Sequence, residues 1–431
     1  MPQSSWKTVM LTAGLAAQFA CGGPGPDATE PVEQTKGTAL TAHNAVKRRD
    51  TPPLMKHVDI TALVSSGPHS LATQPILQGN ALFAEATSRS IIQTSDGGYA
   101  FTGTTSALGD NDILLVKTDA FLNVQWAYAY GTYNEDSGVE VRATSDGGFM
   151  IAGQTFQNNN FDFYVVRTDP SGNFYWQGPY GGALQEYPNA MEVTPDGGCI
   201  IAGKTRSNLG YEDAYLMKFS ATGAVQWSKS FSSGADGTYA FEGVANVPGG
   251  GYVAVGSRQV KVSSGGWETY GFAARVSNTG STLFQVPVGR FADFTALAVN
   301  STGFVAVGYI YQPASFDADF YAVRFNTTGG TVWTRTIPAG TRGDYLNDVK
   351  VASDGNYVIT GTIVPSDTQR NLRLLKLDNN GATVWNFGPY PSTWVTSGDS
   401  LAVTSDGGFI VSGGYTDSLN NSAMLLSKFS P

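Results

Sequence analysis

The chain has 431 residues, of which 14% are charged, 12% are aromatic and 52 are glycine. Glycine well above its usual share of about 7%, together with low charge, is typical of turn-rich all-β proteins and excludes a helical bundle or a disordered chain. The formal net charge of −9 offers no basic footprint, so we exclude nucleic acid as a partner.

Residues 1–20 have the pattern of a signal peptide. Lys7 precedes a mostly apolar run of thirteen residues, 8–20, which is shorter than the ~20 residues of a stable membrane anchor. The run ends in QFACG, residues 18–22, which resembles the lipobox of bacterial lipoproteins, although Gln18 stands where leucine is usual. The resemblance implies lipidation at Cys21. Simple secretion is the alternative.

Residues 21–72 are predicted to form a flexible tether, because they are rich in Gly, Pro, Thr and Ala and lack strand or helix periodicity. All three histidines, His43, His57 and His69, fall in this segment, which excludes a histidine-dependent triad or metal site beyond it. Cys199 lies in an apolar run and is predicted to be a buried, inert thiol. With no C-x-x-C motif either, we expect no metal and no cofactor.

Residues 73–431 contain seven copies of one unit. An apolar strand ends in glycine at intervals of 50 to 53 residues: Gly103, Gly153, Gly203, Gly256, Gly308, Gly361 and Gly413. An Asp-Gly turn signal precedes five of these strands. A second apolar strand ends in a basic residue in every unit: Lys117, Arg167, Lys218, Arg275, Arg324, Lys376 and Lys428.

Two further strands complete the unit, one before the Asp-Gly turn and one centred on an aromatic residue. The aromatic residue is Trp126, Trp176, Trp227, Phe284, Trp333 or Trp385. Four short antiparallel strands repeated seven times predict an all-β, seven-bladed β-propeller. The seventh unit stops at Pro431 without its fourth strand, and residues 73–79 resemble the fourth strands. We therefore predict that this N-terminal strand completes the last blade and closes the ring.

The pattern SDGG(Y/F)xxxG, then D-x-(Y/L)-x-V-(K/R)-x-D, then G-x-x-x-W resembles the bacterial secreted β-propeller repeats that occur in many lipoproteins and cell-surface proteins. The resemblance covers residues 73–431 and implies a propeller, but no single activity. Units four and five depart most. Both lack the turn aspartate, and in unit four Phe284 replaces Trp and Tyr270 replaces the Asp that opens the third strand.

Carboxylates recur at two places in the unit. One set precedes the first strand: Asp136, Glu186, Asp293, Asp344 and Asp399. We interpret these as acceptors for backbone amides between blades, with cation binding or glycoside cleavage as the alternatives. The second set is the aspartate of each Asp-Gly turn, expected to pair with the basic residue that ends the third strand. Arg275 and Arg324, whose turns lack aspartate, must have other partners.

Strand alternation assigns the loops to two faces. The turn face carries the Asp-Gly turns and the turns between third and fourth strands, whereas the irregular face carries the other loops and the connections between blades. Unit four has the longest loop on the irregular face. Trp267, Glu268 and Tyr270 there, with Tyr311 and Phe316 in unit five, predict an aromatic ligand-binding patch. Alternatively these rings cover strand ends.

The predicted function is a non-catalytic lipoprotein that binds a protein or glycan partner through the irregular face. We expect no enzyme activity, a monomer, and membrane attachment by the lipid alone. The expected location is the outer membrane or cell surface, with secretion or the periplasm as the alternative. Two other functions remain: a carbohydrate-active enzyme that uses channel carboxylates, and a purely architectural surface protein.

Overall fold

The computed structural model describes residues 56–57, 77–84, 86–106, 110–206, 210–232, 237–263, 265–312, 317–338, 343–366, 369–388, 395–416 and 422–431. These residues form strands, turns and bends. No helix in this part of the chain is long and apolar enough to cross a membrane. Cys21 and the rest of the predicted signal peptide lie outside the described residues.

Six blades each contain four antiparallel strands, which follow one another in the chain from the inner to the outer strand. Blade 1 consists of β3 (Ala86–Gln93), β4 (Tyr99–Thr105), β5 (Asp112–Thr118) and β6 (Val124–Tyr130). Blade 2 consists of β7 (Asp136–Ala143), β8 (Phe149–Gln157), β9 (Asn160–Thr168) and β10 (Phe174–Tyr180). Blade 3 consists of β11 (Glu186–Val193), β12 (Cys199–Arg206), β13 (Glu212–Phe219) and β14 (Val225–Phe231). Blade 4 consists of β15 (Gly237–Asn246), β16 (Tyr252–Lys261), β17 (Trp267–Val276) and β18 (Thr282–Arg290). Blade 5 consists of β19 (Ala292–Asn300), β20 (Gly303–Gln312), β21 (Asp317–Asn326) and β22 (Thr331–Ile337). Blade 6 consists of β23 (Asp344–Val351), β24 (Tyr357–Ser366), β25 (Gln369–Leu377) and β26 (Thr383–Phe387).

The seventh blade closes the ring with a strand from the N-terminal side. Its inner strand is split into β27 (Val395–Thr396) and β28 (Ser400–Val403), followed by β29 (Phe409–Thr416) and β30 (Ser422–Phe429). The outer strand is β2 (Leu77–Ala84), antiparallel to β30. The predictions of a seven-bladed propeller and of N-terminal closure are therefore confirmed. The pairing with β30 is described from Leu77 onward, and residues 73–76 of the predicted segment lie outside the described residues.

One short strand lies inside the predicted tether. Residues Lys56–His57 form β1, which pairs antiparallel with β6 through Lys56 opposite Ala129 and His57 opposite Tyr128. The outer edge of blade 1 is thus partly paired, which removes some of the unsatisfied backbone groups that an edge strand presents.

The hydrophobic core lies between blades, because the middle strands are buried on both faces. In β5 every residue from Asp112 to Thr118 is buried. Aromatic rings fill the spaces between neighbouring blades: Phe231 of blade 3 packs edge-on against Phe241 of blade 4, which stacks on Phe272 at 5.5 Å between ring centroids. A single blade has no partner for these flanks, so the ring has to close for them to be buried.

The turn face is held together by tryptophans that reach the next blade. Trp176 Nε1 donates a hydrogen bond to the Ala221 carbonyl at 3.1 Å, and a Cβ on Gly223 would lie 3.0 Å from the Trp176 ring. Gly223 has a φ of +81°, which glycine adopts without strain. Trp227 and Trp333 make the same hydrogen bond to the turn of the following blade.

At the ring closure, the turn of blade 1 lacks this contact between a tryptophan and a glycine. This turn has Leu122 at a φ of +69° instead of glycine, and the Leu122 side chain is buried. The preceding outer strand is β2, whose sequence contains no tryptophan. Leu122 belongs to the apolar cluster that contains Ala81 of β2 and Leu426 of β30. The leucine therefore occupies space that a tryptophan takes between other blades.

The predicted acid–base pairs of the turn face are confirmed in all five units that have a turn aspartate. The pairs are Lys117–Asp96 (2.7 Å), Arg167–Asp146 (2.6 Å), Lys218–Asp196 (2.9 Å), Lys376–Asp354 (2.7 Å) and Lys428–Asp406 (3.3 Å). The two other arginines have different acceptors, as expected. Arg275 donates to the Thr327 carbonyl at 2.7 Å, and Arg324 donates to Asn300 Oδ1 at 2.9 Å and Thr302 Oγ1 at 2.6 Å.

The inner strands contain a feature that the sequence analysis did not predict. In blades 1 to 6 each inner strand has a bulge opposite the strand-end glycine of the second strand. The extra residue connects blades: Asn189 Nδ2 donates to the Phe241 carbonyl and Asn347 Nδ2 to the Gly398 carbonyl, each at 2.9 Å. A bulge re-aims the side chains that follow it, and so decides which residues line the channel.

Candidate functional site

The long loop of unit four is an extended hairpin. Strand β16 continues to Lys261 and β17 begins at Trp267, joined by a turn in which the Val262 amide bonds the Gly266 carbonyl at 2.9 Å. Trp267 therefore lies at the tip of a rigid arm on the irregular face. Its side chain is 44% exposed, and its ring centroid is 6.4 Å from that of Tyr211 in blade 3.

Glu268 and Tyr270 are joined in a polar network on this arm. The Tyr270 hydroxyl donates to Glu268 Oε2 at 2.7 Å, and Arg290 pairs with the other carboxylate oxygen. These hydrogen bonds, that of Tyr270 first, lower the pKa of Glu268. The Arg258 guanidinium lies 5.5 Å from the centroid of the Tyr270 ring. Both residues are held in one orientation, which reduces the entropy that a ligand-binding side chain loses.

Tyr311 is connected to this arm through the link between blades 4 and 5. The Phe291 amide bonds the Thr269 carbonyl at 2.6 Å, and the Tyr311 amide bonds the Phe291 carbonyl at 2.8 Å. Phe291 has a φ of +64°, and Arg290 lies 4.6 Å from the centroid of its ring. The structure thus joins Glu268 and Tyr270 by a side-chain hydrogen bond and links the strand that carries Trp267 to Tyr311 through the backbone.

We call this group of residues the blade 4–5 corner: Trp267, Glu268, Tyr270, Arg290, Phe291 and Tyr311. The sequence analysis missed Arg290 and Phe291, which join the other four. The signal was available in the sequence as an arginine next to an aromatic residue at the entry to a divergent unit. Phe316, the remaining predicted site residue, lies outside the described residues.

The exposed aromatic rings are concentrated on the irregular face. Among the described residues, six aromatic side chains are exposed, and four of them are on this face: Tyr133, Trp267, Tyr311 and Tyr345. Phe121, in a turn of blade 1, is the most exposed ring of the opposite face at 78%. Of the predicted site residues, Trp267 and Tyr311 are exposed, whereas Tyr270 is half-buried.

Two of the recurrent acids have the structural role that we favoured. Asp136 accepts hydrogen bonds from the Thr132 amide and, at 2.9 Å, from the Thr132 hydroxyl. Glu186 accepts from the Gly182 amide at 3.1 Å. Both carboxyls hold the connection into the next blade. Burial raises the pKa of Asp136 to about 6, and burial also raises the pKa of Glu186.

Other acids lie on or next to the inner strands. Burial raises the pKa of Glu242, the bulge residue of blade 4, to about 8, and the charge of Asp293 adds to the rise. Tyr309 donates to Asp293 Oδ2 at 3.2 Å. The charge of Arg89 opposes the rise for both Glu242 and Asp399. Within the described part of the chain, no three His, Cys, Asp or Glu side chains come together in a way that would hold a metal ion.

No family model matches the chain, and no curated protein is similar to it. Solved propellers resemble it at low identity. A protein of unknown function from Dyadobacter fermentans is 10% identical, with a TM-score of 0.48 over 80% of this chain and 95% of that one. The β-propeller domain of the Trilobed protease from Pyrococcus furiosus is 11% identical, with a TM-score of 0.45 over 79% and 93%.

A third structure, a puromycin hydrolase S511A mutant complexed with PGG, is 14% identical, with a TM-score of 0.45 over 78% of this chain and 53% of that one. Two of the three structures therefore carry the names of a protease and a hydrolase. The prediction that the chain is not an enzyme was wrong to exclude catalysis. A propeller is a scaffold on which loops supply the chemistry, so missing histidines and motifs exclude particular mechanisms and not enzyme activity itself.

Proposed function

We propose that the chain binds a protein or glycan partner through the blade 4–5 corner of the irregular face. The observation that carries the proposal is the polar network of Tyr270, Glu268 and Arg290, beside which Trp267 and Tyr311 are exposed on the neighbouring strands of the same face. Aromatic and arginine side chains dominate the binding energy of interfaces, because each buries a large area and offers a polar group at its edge.

A comparison of exposed aromatic residues on the irregular face with one on the turn face tests this proposal. A glycan array and a surface-protein panel are screened with wild type, and the recovered partner is titrated against Trp267→Ala, Tyr311→Ala and the control Phe121→Ala. We expect each corner variant to weaken binding about tenfold or more, and the control to bind as wild type. Unchanged affinity in both corner variants, with melting temperatures preserved, would overturn the placement.

A second candidate function is favoured by Glu242. Its pKa of about 8 keeps the carboxyl protonated at neutral pH, and Asp293 lies close enough to influence it. A protonated acid next to a second carboxyl is the equipment of a glycoside-cleaving enzyme. The test is product formation from polysaccharides by wild type and Glu242→Gln. Activity that the variant loses supports this function, and absence of products from wild type contradicts it.

We further propose that the chain is exported and lipid-anchored through Cys21 at the outer membrane or cell surface. Support comes from the QFACG motif after an apolar run. Intact mass of the mature protein tests the proposal. We expect cleavage before Cys21 with an added lipid mass, and loss of that mass in Cys21→Ser. A mature chain that starts elsewhere without lipid contradicts it. Relation to the bacterial secreted propeller repeats is part of the same proposal.

A further inference from the structure

We infer that the ligand of the irregular face is an acidic polysaccharide, whose chain lies along an arc from blade 3 to blade 6. This inference rests on the proposed function, because it assigns a ligand class to the same surface. Three independent observations lead to it: the sign of the exposed charges, the chain of aromatic contacts, and a polar cavity at each end of the arc.

The first observation is charge. The exposed charged side chains on the irregular face of blades 3 to 6, among the described residues, are Arg206, Lys261, Arg290 and Arg370. The described acids of the same loops are buried or half-buried, and Glu268 is already paired with Arg290. The fully exposed charges that the described residues of this face offer to a ligand are therefore cationic, which complements a carboxylated ligand.

The turn face has no comparable surplus. Five of its aspartates are paired with the lysines and arginines that end the third strands, so these charges largely cancel. The low overall charge predicted from composition is thus distributed unevenly between the two faces. Arginine suits a carboxylate better than lysine does, because its planar fork offers two parallel N–H donors.

The second observation is the continuity of the aromatic rings across blades. Tyr211 of blade 3 faces Trp267 of blade 4, and the Phe291 backbone connects that arm to Tyr311 of blade 5. Tyr309, two residues before Tyr311 on β20, packs edge-on against Tyr345 of blade 6 at 5.0 Å between centroids. A pyranose ring has an apolar C–H face that packs on such rings, and its hydroxyls remain available to polar neighbours.

The third observation is a cavity at each end of the arc. One of about 410 Å³ is lined by Asn159, Asn160, Gln185 and Arg206, and one of about 420 Å³ by Tyr345, Asn347, Arg370 and Asp399. Both are large enough for a sugar residue, and both combine an exposed arginine with amide side chains. The two arginines are the donors that a uronate carboxylate needs, and the amide oxygens can accept from sugar hydroxyls, because the Nδ2 groups of Asn160 and Asn347 already donate to backbone carbonyls.

A protein partner explains these features less well. Its recognition would not require two separate polar cavities joined by a line of rings, whereas a repeating chain that carries a carboxylate on each sugar uses all of them. An extended ligand also predicts that affinity rises with chain length, because each added sugar gains a further ring or arginine.

The experiment is a titration of the full mature chain with oligogalacturonates of increasing length, and with their methyl esters as neutral controls. Single-stranded DNA controls for charge attraction alone. We expect affinity to rise from the dimer upward, to fall with added salt, and to be about tenfold or more lower for the esters. Arg206→Gln and Arg370→Gln should each weaken binding of the long oligomers about threefold and leave the dimer unchanged or nearly so. The exposed Arg335→Gln, on the outer strand of blade 5, is the matched control.

The outcomes separate this inference from the proposed function. Equal affinity for acid and ester, or affinity independent of length, overturns the acidic-chain inference. Binding of a protein from the panel but of no glycan, with that binding lost in Trp267→Ala, overturns the inference and supports the proposed function. Binding of DNA as tight as that of the oligogalacturonates also overturns the inference, because it shows charge attraction without sugar recognition.

Discussion

The two faces of the ring carry carboxylates with opposite electrostatic behaviour. On the turn face, the Thr144 hydroxyl and then the Arg167 guanidinium lower the pKa of Asp146 to about 2. On the irregular face, burial raises the pKa of Asp136 to about 6. The first type of carboxyl is exposed and ion-paired, whereas the second is buried and bonded to an amide and a hydroxyl.

The difference indicates how the repeat divides its work. The turn face repeats one set of contacts from blade to blade: a tryptophan to the next turn, a glycine beneath it, and an acid–base pair. The irregular face has a carboxyl that holds the blade connection at Asp136 and at Glu186, and its loops differ in length and composition. The turn face is therefore the more regular of the two, and the proposed ligand site lies on the face whose loops vary.

The largest loss of stability is expected at the ring closure, where the last blade takes its outer strand from the N-terminal side. Deletion of residues 77–84 removes β2 and uncovers Met424 and Leu426 of β30, which are buried. Burial of such side chains contributes about 1.5–3 kcal/mol each, so we expect the free energy of unfolding to fall by about 3–6 kcal/mol. Thermal and urea unfolding measure it. Deletion of residues 58–65, which precede β2, is the control, and equal stability of the two deletions would contradict closure by β2.

The next effect is a pH dependence that separates the two types of carboxyl. The folded protein keeps the Asp136 proton up to pH of about 6, whereas the unfolded chain releases it near the ordinary value of 3.8. The folded state therefore binds more protons between these values, and its stability falls as pH rises through this window. Two pKa units correspond to about 3 kcal/mol. In Asp136→Asn we expect this fall to be absent in urea titrations at several pH values.

The control for that prediction is Asp146→Asn on the turn face. Its folded pKa is lowered, so its contribution is present at neutral pH and is lost as pH falls through the range from about 4 to about 2. The two variants should therefore diverge from wild type at opposite ends of the pH scale. Parallel profiles would show that the two faces do not differ electrostatically.

A smaller effect concerns the turn-face ion pair of blade 3. The Lys218 side chain is 1% exposed and also donates to the Phe219 carbonyl at 2.7 Å. Asp196→Ala leaves this buried ammonium without its carboxylate, and we expect a loss of about 2 kcal/mol. The double variant Asp196→Ala/Lys218→Met should recover most of that loss in chemical unfolding. A double variant as unstable as the single one would show that the charge is not the cause.

The smallest expected effect is at the glycine under Trp176. Gly223→Ala requires an alanine at φ +81° and a Cβ 3.0 Å from the ring, so we expect a loss of about 1–2 kcal/mol. Gly97→Ala is the matched control, because Gly97 has a φ of +82° and no atom within 4 Å of the added Cβ. The difference between the two variants in thermal unfolding isolates the contact with tryptophan. No difference would mean that the ring does not press on the turn.

Much of the fold was predictable because its determinants are local and repeated. Asp-Gly turns, strand-end glycines and basic strand ends recur at a fixed period, and a period of about 50 residues implies one blade for each unit. The missing fourth strand of the last unit indicated the closure.

The site was predicted only in part. Trp267, Glu268, Tyr270 and Tyr311 were identified as aromatic or charged residues in divergent loops. Phe291, which connects them, was not: the adjacent arginine and aromatic residue are visible in the sequence, but the connecting role of Phe291 depends on its left-handed backbone conformation. The channel position of Glu242 was also missed, because it results from a bulge that breaks the regular alternation of the inner strand.

The most direct test of a structural turn face and a ligand-binding irregular face measures melting temperature and dissociation constant on the same variants. Asp196→Ala and Gly223→Ala represent the first face, and Trp267→Ala and Tyr311→Ala the second, with the partner recovered from the binding screen as ligand. We predict that the first pair lowers the melting temperature at unchanged affinity, and that the second pair lowers affinity at unchanged melting temperature. The reverse assignment, or variants of both faces that change both quantities alike, would contradict the account.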